Sequence, residues 1–463
     1  MPMALSIHLV AACGTGMGTL ACILKQMGYR VTGSDAHVYP PMSDFLRANG
    51  IQLFDGYNAA NLDHDPDLVI IGNAVSRDNP EAAAVLEKGF EYLSMPQAVN
   101  RFVAKDKKII LVTGTHGKTT TSSIMAHLLT SAGLDPSYMI GGILKDYDSS
   151  FRIGTGPYMV IEGDEYDTAF FDKGPKFMHY DPEILILNGI EFDHADIFSG
   201  IEQINGVFAD LVNRNKAGCH IIACTGNPNL EQVLEKTAAQ AERFGTGGDW
   251  QAGQASVDKG FNRFTVTGPG QRFKIRSRLP GEHNILNSLA CIAAARRIGI
   301  QTDAIADAFY SFSGIKRRQE VRGVKRQITV MDDFAHHPTA VAETIKAVKP
   351  FYPRGRIVAV FEPRTNTSMR RFFQNSYPRA FAEADLVCIC RPQVKKKIPD
   401  HEKFDTRRLV ADIAKMGIPS YHFNDAREVI GFLLPELQPR DLVLIMSNGG
   451  FDNIHEALLK ALE

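Results

Sequence analysis

A chain of 463 residues is longer than one hydrophobic core usually organises, so roughly two to four domains are expected, and three are read here. Lys and Arg together number 51 against 52 Asp and Glu, so no global field draws the protein to nucleic acid or to an anionic membrane; any anionic ligand is met locally. Seven scattered cysteines without CxxC pairing, no cleavable leader and no run of about 18 apolar residues point to reduced thiols, no membrane insertion and a cytoplasmic protein.

The first predicted unit opens with SIHLVAACGTGMGTLACILKQMGY, an apolar strand meeting Gly14, Gly16 and Gly18 and passing into a helix. The backbone N–H groups of Gly14, Thr15, Gly16 and Met17 could hold a pyrophosphate, and Ser34 or Asp35, at the end of the next strand, could bond a ribose or uridine. Alone, this loop also suits a nicotinamide-dependent oxidoreductase. Asn73 and Ser76, after the strand at LVIIG, add candidate diphosphate donors. A polar segment at residues 100–107 places the first boundary at 106, giving a unit 1–106.

The second unit, 107–314, begins with KIILVTGTHGKTTT, a buried strand running straight into glycines and then a helix. Gly114, Thr115, His116, Gly117, Lys118, Thr119 and Thr120 form a phosphate loop, with Lys118 directed at the terminal phosphates of ATP and Thr119 at Mg²⁺. Gly114 precedes Gly117 by three residues, so the spacing is tighter than GxxxxGKT. The next strand ends in EGDEYD, where Glu162, Asp164, Glu165 and Asp167 crowd together; Glu162, which closes the apolar run, is the first choice for Mg²⁺. A further strand ends in NGIEFDH, bringing Asn188, Glu191, Asp193 and His194 to the same sheet edge, with His194 a second metal ligand or a sugar contact. The last unit, 315–463, carries strands at ITVMDD, RIVAVFEP, DLVCICRP and DLVLIMSN, and Cys388 and Cys390 share one strand face as core residues. The fold class is therefore α/β: a Rossmann-like first domain, a central P-loop domain with a parallel sheet, and a Rossmann-like third domain.

GTHGKTTT, EGDEYD, NGIEFDH, GEHNILN and DDFAHHP, in this order along the whole chain, resemble the Mur ligase family. The resemblance implies a UDP-sugar site in the first domain, ATP in the second and an amino acid or peptide in the third. It also implies catalytic roles for Lys118, Glu162, His194 and Arg318, and nucleotide contacts from Asn284, Asn287, Arg318, Asp333 and His336, with Arg317 the rival of Arg318. Segments such as SDAHVYPPMS, EPRTNT and VLIMSNGGFDNIH are similar to the subgroup that attaches L-Ala-γ-D-Glu-meso-diaminopimelate to UDP-N-acetylmuramate through an acyl phosphate, in peptidoglycan recycling. The alternative within the family is the L-alanine-adding ligase of peptidoglycan biosynthesis. In either case the partners are small-molecule substrates. Arg364, Asn366, Ser447 and Asn448, at strand ends of the last unit, are the candidate peptide contacts.

Overall fold

The computed structural model describes residues 5–38, 42–195, 197–365, 367–392 and 398–463. Runs such as IILVT, LVII, IVAVF and LVLIM have no polar alternation, so they can be satisfied only where both faces are covered, as in parallel sheets flanked by helices. They form such sheets. The first, among the described residues, has the order Gln52–Asp55, Arg30–Asp35, Ser6–Val10, Leu68–Ile71, Tyr92–Ser94, all parallel.

In the second sheet the order is Glu242–Phe244, His220–Cys224, Pro182–Leu187, Lys108–Thr113, Tyr158–Gly163, Ser137–Leu144, Ser149–Arg152, with only the last pair antiparallel. Lys108–Thr113 thus lies between the strand that carries Glu162 and the strand that leads into Asn188, and their carboxyl ends form one crevice. The third sheet runs Glu320–Lys325, Ile328–Asp333, Leu442–Met446, Ile357–Phe361, Leu386–Cys390, Ser420–Phe423; its first strand is antiparallel to the second. The fold class expected from the sequence is the one observed.

A small antiparallel sheet from Gln251–Ala252, Ser256–Asp258, Phe261–Gly268 and Gln271–Ser277 was not foreseen. Its long hairpin sets Phe264 against Ile275 and Val266 against Phe273, a two-residue rhythm on one face, while Arg272, Lys274 and Arg276 face outward. One apolar cluster runs from Ile7 and Leu20 of the first sheet through Leu129 and Ile186 to Phe312 of the second. The third sheet has its own two: Ile357, Ala359, Phe361 and Leu444 pack on one face, and Val358, Val360, Cys388, Cys390 and Val443 on the other. The seven cysteines are free thiols. Among the described residues no helix is long and apolar enough to cross a membrane.

Candidate active site

The phosphate loop leaves the strand Lys108–Thr113 and ends at Gly117, the N-cap of the helix Lys118–Ser131. Gly117 has φ +81° and no side chain to cap the first turn, so the N–H groups at the positive end of this helix face the crevice. A Cβ on Gly117 would lie 2.5 Å from Oδ1 of Asn287, and one on Gly114 would lie 2.9 Å from the Gly189 carbonyl. Only glycine permits so close a turn.

Nζ of Lys118 donates to the Gly114 carbonyl at 2.8 Å and to Glu165 at 2.9 Å, which folds the side chain back over its own loop. Burial opposes its charge, but the carboxylates of Glu165, Asp164 and Glu162 outweigh burial and hold it above its ordinary pKa. Glu165 is buried and also meets His194, with Nε2 at 3.5 Å. For that carboxylate burial is again the opposing influence, overcome by Lys118 and His194, which hold it ionised below its usual range. His194 is shifted upward: burial disfavours its proton, and Glu165 more than restores it.

Each carboxylate of the acidic stretch has a cation except one. Asp164 meets Lys176 at 3.2 Å, Asp167 meets Lys173 at 3.0 Å and Glu165 meets Lys118. Glu162, among the described residues, forms no ion pair; it accepts from the Thr119 hydroxyl at 3.1 Å and the Gly141 N–H at 2.6 Å. Burial and then the charge of Asp164 raise its pKa, so its negative charge is under-compensated. Two hard oxygen donors of this kind, Thr119 and Glu162, fit Mg²⁺. His194 stands on Glu165 rather than beside this pair.

From the third unit, Arg318 reaches the same place. Its guanidinium donates to the Thr119 hydroxyl at 3.4 Å and lies 4.9 Å above the Phe334 ring. Its neighbour Arg317 has φ +62° and turns away to the carbonyls of Ser447 and Gly449 at 2.8 and 2.6 Å. Of the two arginines, Arg318 is the one that meets the phosphate loop. Asn284 and Asn287 are buried and linked at 3.2 Å. The carboxylate of Asp333 accepts from the N–H groups of Ala335 and Gln319, both at 2.8 Å. These residues, with His336, Lys118 and Thr119, line a cavity of about 340 Å³.

Four residues in this crevice were under-read from sequence. The Asn188 amide donates to Thr121 at 3.0 Å and stands beside Gly117. Glu191 meets His116 at 3.3 Å, and His337, not singled out at all, approaches Glu191 at 3.8 Å. His283 is half-buried, and desolvation followed by the charge of His116 lowers its pKa to about 4.

In the first unit Gly14 caps the helix Thr15–Gln26 without a side-chain bond, and Gly14, Thr15 and Gly16 are at least partly open, while the Met17 side chain is buried. Asp35 does not face outward freely: it accepts the Cys13 N–H at 2.9 Å and tethers the loop. Ser34 is a correction, since its side chain is fully buried and its hydroxyl donates to Glu81. Asn73 and Ser76 are exposed on the loop after Leu68–Ile71. In the third unit Ser447 is also a correction: it is buried and its hydroxyl donates to Glu362 at 2.8 Å, so it has no face for a peptide. Arg364 contacts the same Glu362 at 3.4 Å, and Asn448 keeps a buried, unpartnered Oδ1. Asn366 lies outside the described residues.

Residues 6–107 match the Mur ligase family catalytic domain, residues 112–295 the Mur ligase middle domain, and residues 317–449 the Mur ligase glutamate ligase domain. The chain is 41% identical over 460 residues, 98% of each chain, to the UDP-N-acetylmuramate--L-alanyl-gamma-D-glutamyl-meso-2,6-diaminoheptandioate ligase of Escherichia coli strain K12. The chain belongs to the Mur ligase family. As a Mur ligase it is an ATP-dependent ligase, the reaction class to which its phosphate loop points. A murein peptide ligase from Psychrobacter arcticus shares its fold with a TM-score of 0.73 at 34% identity, covering 99% of both chains. The UDP-N-acetylmuramate--L-alanine ligase of Endomicrobium trichonymphae is 34% identical over 387 residues, 82% of this Mur ligase and 83% of that one.

Proposed function

We propose that this Mur ligase joins the amine of L-Ala-γ-D-Glu-meso-diaminopimelate to the lactyl carboxylate of UDP-N-acetylmuramate, using ATP, in peptidoglycan recycling. The observation that carries the acceptor choice is the 41% identity along the full chain to a ligase named for that tripeptide, against 34% over a shorter span for one named for L-alanine.

The site's own residues divide the work. The loop from Gly114 to Thr120 receives the phosphates, and Lys118 and Arg318 offset their charge, which otherwise repels an incoming carboxylate. Thr119 and Glu162 hold Mg²⁺, which neutralises phosphate charge when bound. Asn284, Asn287, Asp333 and His336 line the nucleoside end of the cavity. Glu165 orients Lys118 on one side and His194 on the other, so His194 faces the reacting groups in a fixed position. The carboxylate oxygen bonds the terminal phosphorus as ADP leaves; the amine then bonds the acyl carbon, phosphate departs and the amine gives up a proton. Gly14, Thr15, Gly16 and Met17 supply backbone donors for the UDP diphosphate, with Asn73 and Ser76 beside them. Arg364 and Asn448 are the described residues proposed to meet the peptide. The units are assigned as 1–106, 107–314 and 315–463, and the seven free thiols suit a reducing cytoplasm.

The test is phosphate release from ATP with UDP-N-acetylmuramate and Mg²⁺, offering either tripeptide or L-alanine. Release with tripeptide alone is expected. Release with L-alanine alone would move the protein to the biosynthetic reaction, and release with neither would overturn the sugar-nucleotide assignment.

A further inference from the structure

His116 belongs to the phosphate loop by its backbone, but its side chain turns to Glu191, with Nε2 3.3 Å from Oε2. The same oxygen lies 3.8 Å from Nδ1 of His337. The three donor atoms fall within 4.8 Å of one another, and the two imidazole centroids are 4.7 Å apart. Nitrogen and oxygen ligands around a tetrahedral ion at about 2.0–2.2 Å lie about 3.3–3.6 Å apart, close to the 3.3 and 3.8 Å of the two Glu191 pairs.

The surroundings prepare the donors. Nε2 of His337 lies 3.3 Å from the Phe192 carbonyl, and a proton donated there makes Nδ1, 3.8 Å from Glu191, the lone-pair nitrogen. Fixing the far nitrogen on a carbonyl is how proteins orient imidazole ligands. The Thr339 hydroxyl donates at 2.8 Å to the same Oε2 of Glu191 and fixes the position of the carboxylate. Nδ1 now accepts the Thr339 N–H at 3.2 Å as the helix cap, a bond that a bound ion would replace.

We propose that His116, Glu191 and His337 form a binding site for a borderline transition-metal cation of the Zn²⁺ class, which fastens the third unit to the phosphate loop. Two imidazoles and one carboxylate select Zn²⁺, Co²⁺ or Ni²⁺ over Mg²⁺. His116 and Glu191 stand at the edge of the second sheet, while His337 caps the helix Pro338–Val348 of the third unit, so the ion spans the cleft. This site is separate from Thr119 and Glu162 and does not depend on which amine the enzyme accepts.

The experiment is a competition titration of the full chain with Zn²⁺ against a chromogenic zinc chelator, in excess Mg²⁺, together with thermal melts. One Zn²⁺ per chain at micromolar affinity or tighter is expected, with a higher melting temperature. Glu191→Gln and His337→Asn should each weaken binding roughly 10- to 100-fold, the usual effect of disturbing a metal shell. His401→Ala, whose side chain is 80% exposed and outside the three-residue cluster, should bind as the parent does. His116→Asn serves as a third arm should either of the first two melt abnormally without metal. Absence of stoichiometric Zn²⁺ binding, or affinity unchanged in the correctly folded variants, would overturn the proposal.

Discussion

Replacing Gly117 by Ala separates two effects that a glycine can have. At φ +81° an L side chain costs about 1–2 kcal/mol, and the new Cβ would also lie 2.5 Å from Oδ1 of Asn287 and 2.8 Å from Nδ2 of Asn188. Neither amide can swing aside freely, because Asn287 is tied to Asn284 at 3.2 Å and Asn188 to Thr121 at 3.0 Å. The loop must move instead, and with it the N–H groups that meet phosphate. Two weakened hydrogen bonds at about 1 kcal/mol each amount to about 2 kcal/mol, or roughly thirtyfold in ATP affinity. Gly28→Ala is the matched control: φ is +93°, but nothing lies within 4 Å of its Cβ position. Both variants should melt a few degrees lower, whereas only Gly117→Ala should lose affinity when ATP binding is followed by titration calorimetry. Equal ATP affinities for the two proteins would refute the reasoning that this glycine exists for close approach.

Three further outcomes follow from the site and its supports. Glu162→Gln can still accept the Gly141 N–H but not the Thr119 hydroxyl as well, and it removes the under-compensated charge, so phosphate release should fall by roughly 100-fold or more and should not recover at higher Mg²⁺; a near-normal rate would remove Glu162 from the metal site. Arg318→Lys should lower turnover about tenfold or more, since a lysine loses the planar fork, while Arg317→Lys should act mainly on the anchoring of the Ser447–Gly449 loop; steady-state rates of both proteins decide this, and the reverse order would contradict the geometry. Glu81 is buried with His8, Ser34 and Asn61, whose bonds outweigh burial and hold its carboxyl below the usual range. A folded pKa below the unfolded one gives stability that is present above about pH 4.3 and lost as pH falls through the folded value. Glu81→Gln should therefore melt well below the parent at pH 7, by about 3–5 kcal/mol, with the gap narrowing toward pH 3–4; a gap independent of pH would show that the charge contributes nothing.

The parallel sheets were legible because buried strands are written as unbroken apolar runs, and the phosphate loop because its chemistry is local: strand, glycines, Lys118 and Thr119 lie within a dozen residues. Contacts made across long separations were not. Ser34 looked like a ligand contact because nothing near it announces Glu81, which takes its hydroxyl from 47 residues away. Glu191 and His337 stand on different units, and no periodicity joins them. Arg317 and Arg318 are alike in sequence; the left-handed turn at Arg317 sends one to Ser447 and the other to Thr119. The hairpin Phe261–Ser277 does alternate, but the cations on its open face and its very short flanking strands disguise it among loops.

The distribution of apolar clusters carries a consequence for how the chain comes apart. The first two sheets share one continuous core, whereas the third sheet buries its side chains only against its own helices. Two cooperative units are therefore built into one polypeptide, and heat should release them as two calorimetric transitions rather than one. Because the cavity draws Lys118 and Asn287 from one unit and Asp333 and His336 from the other, ATP should drive the two transitions together.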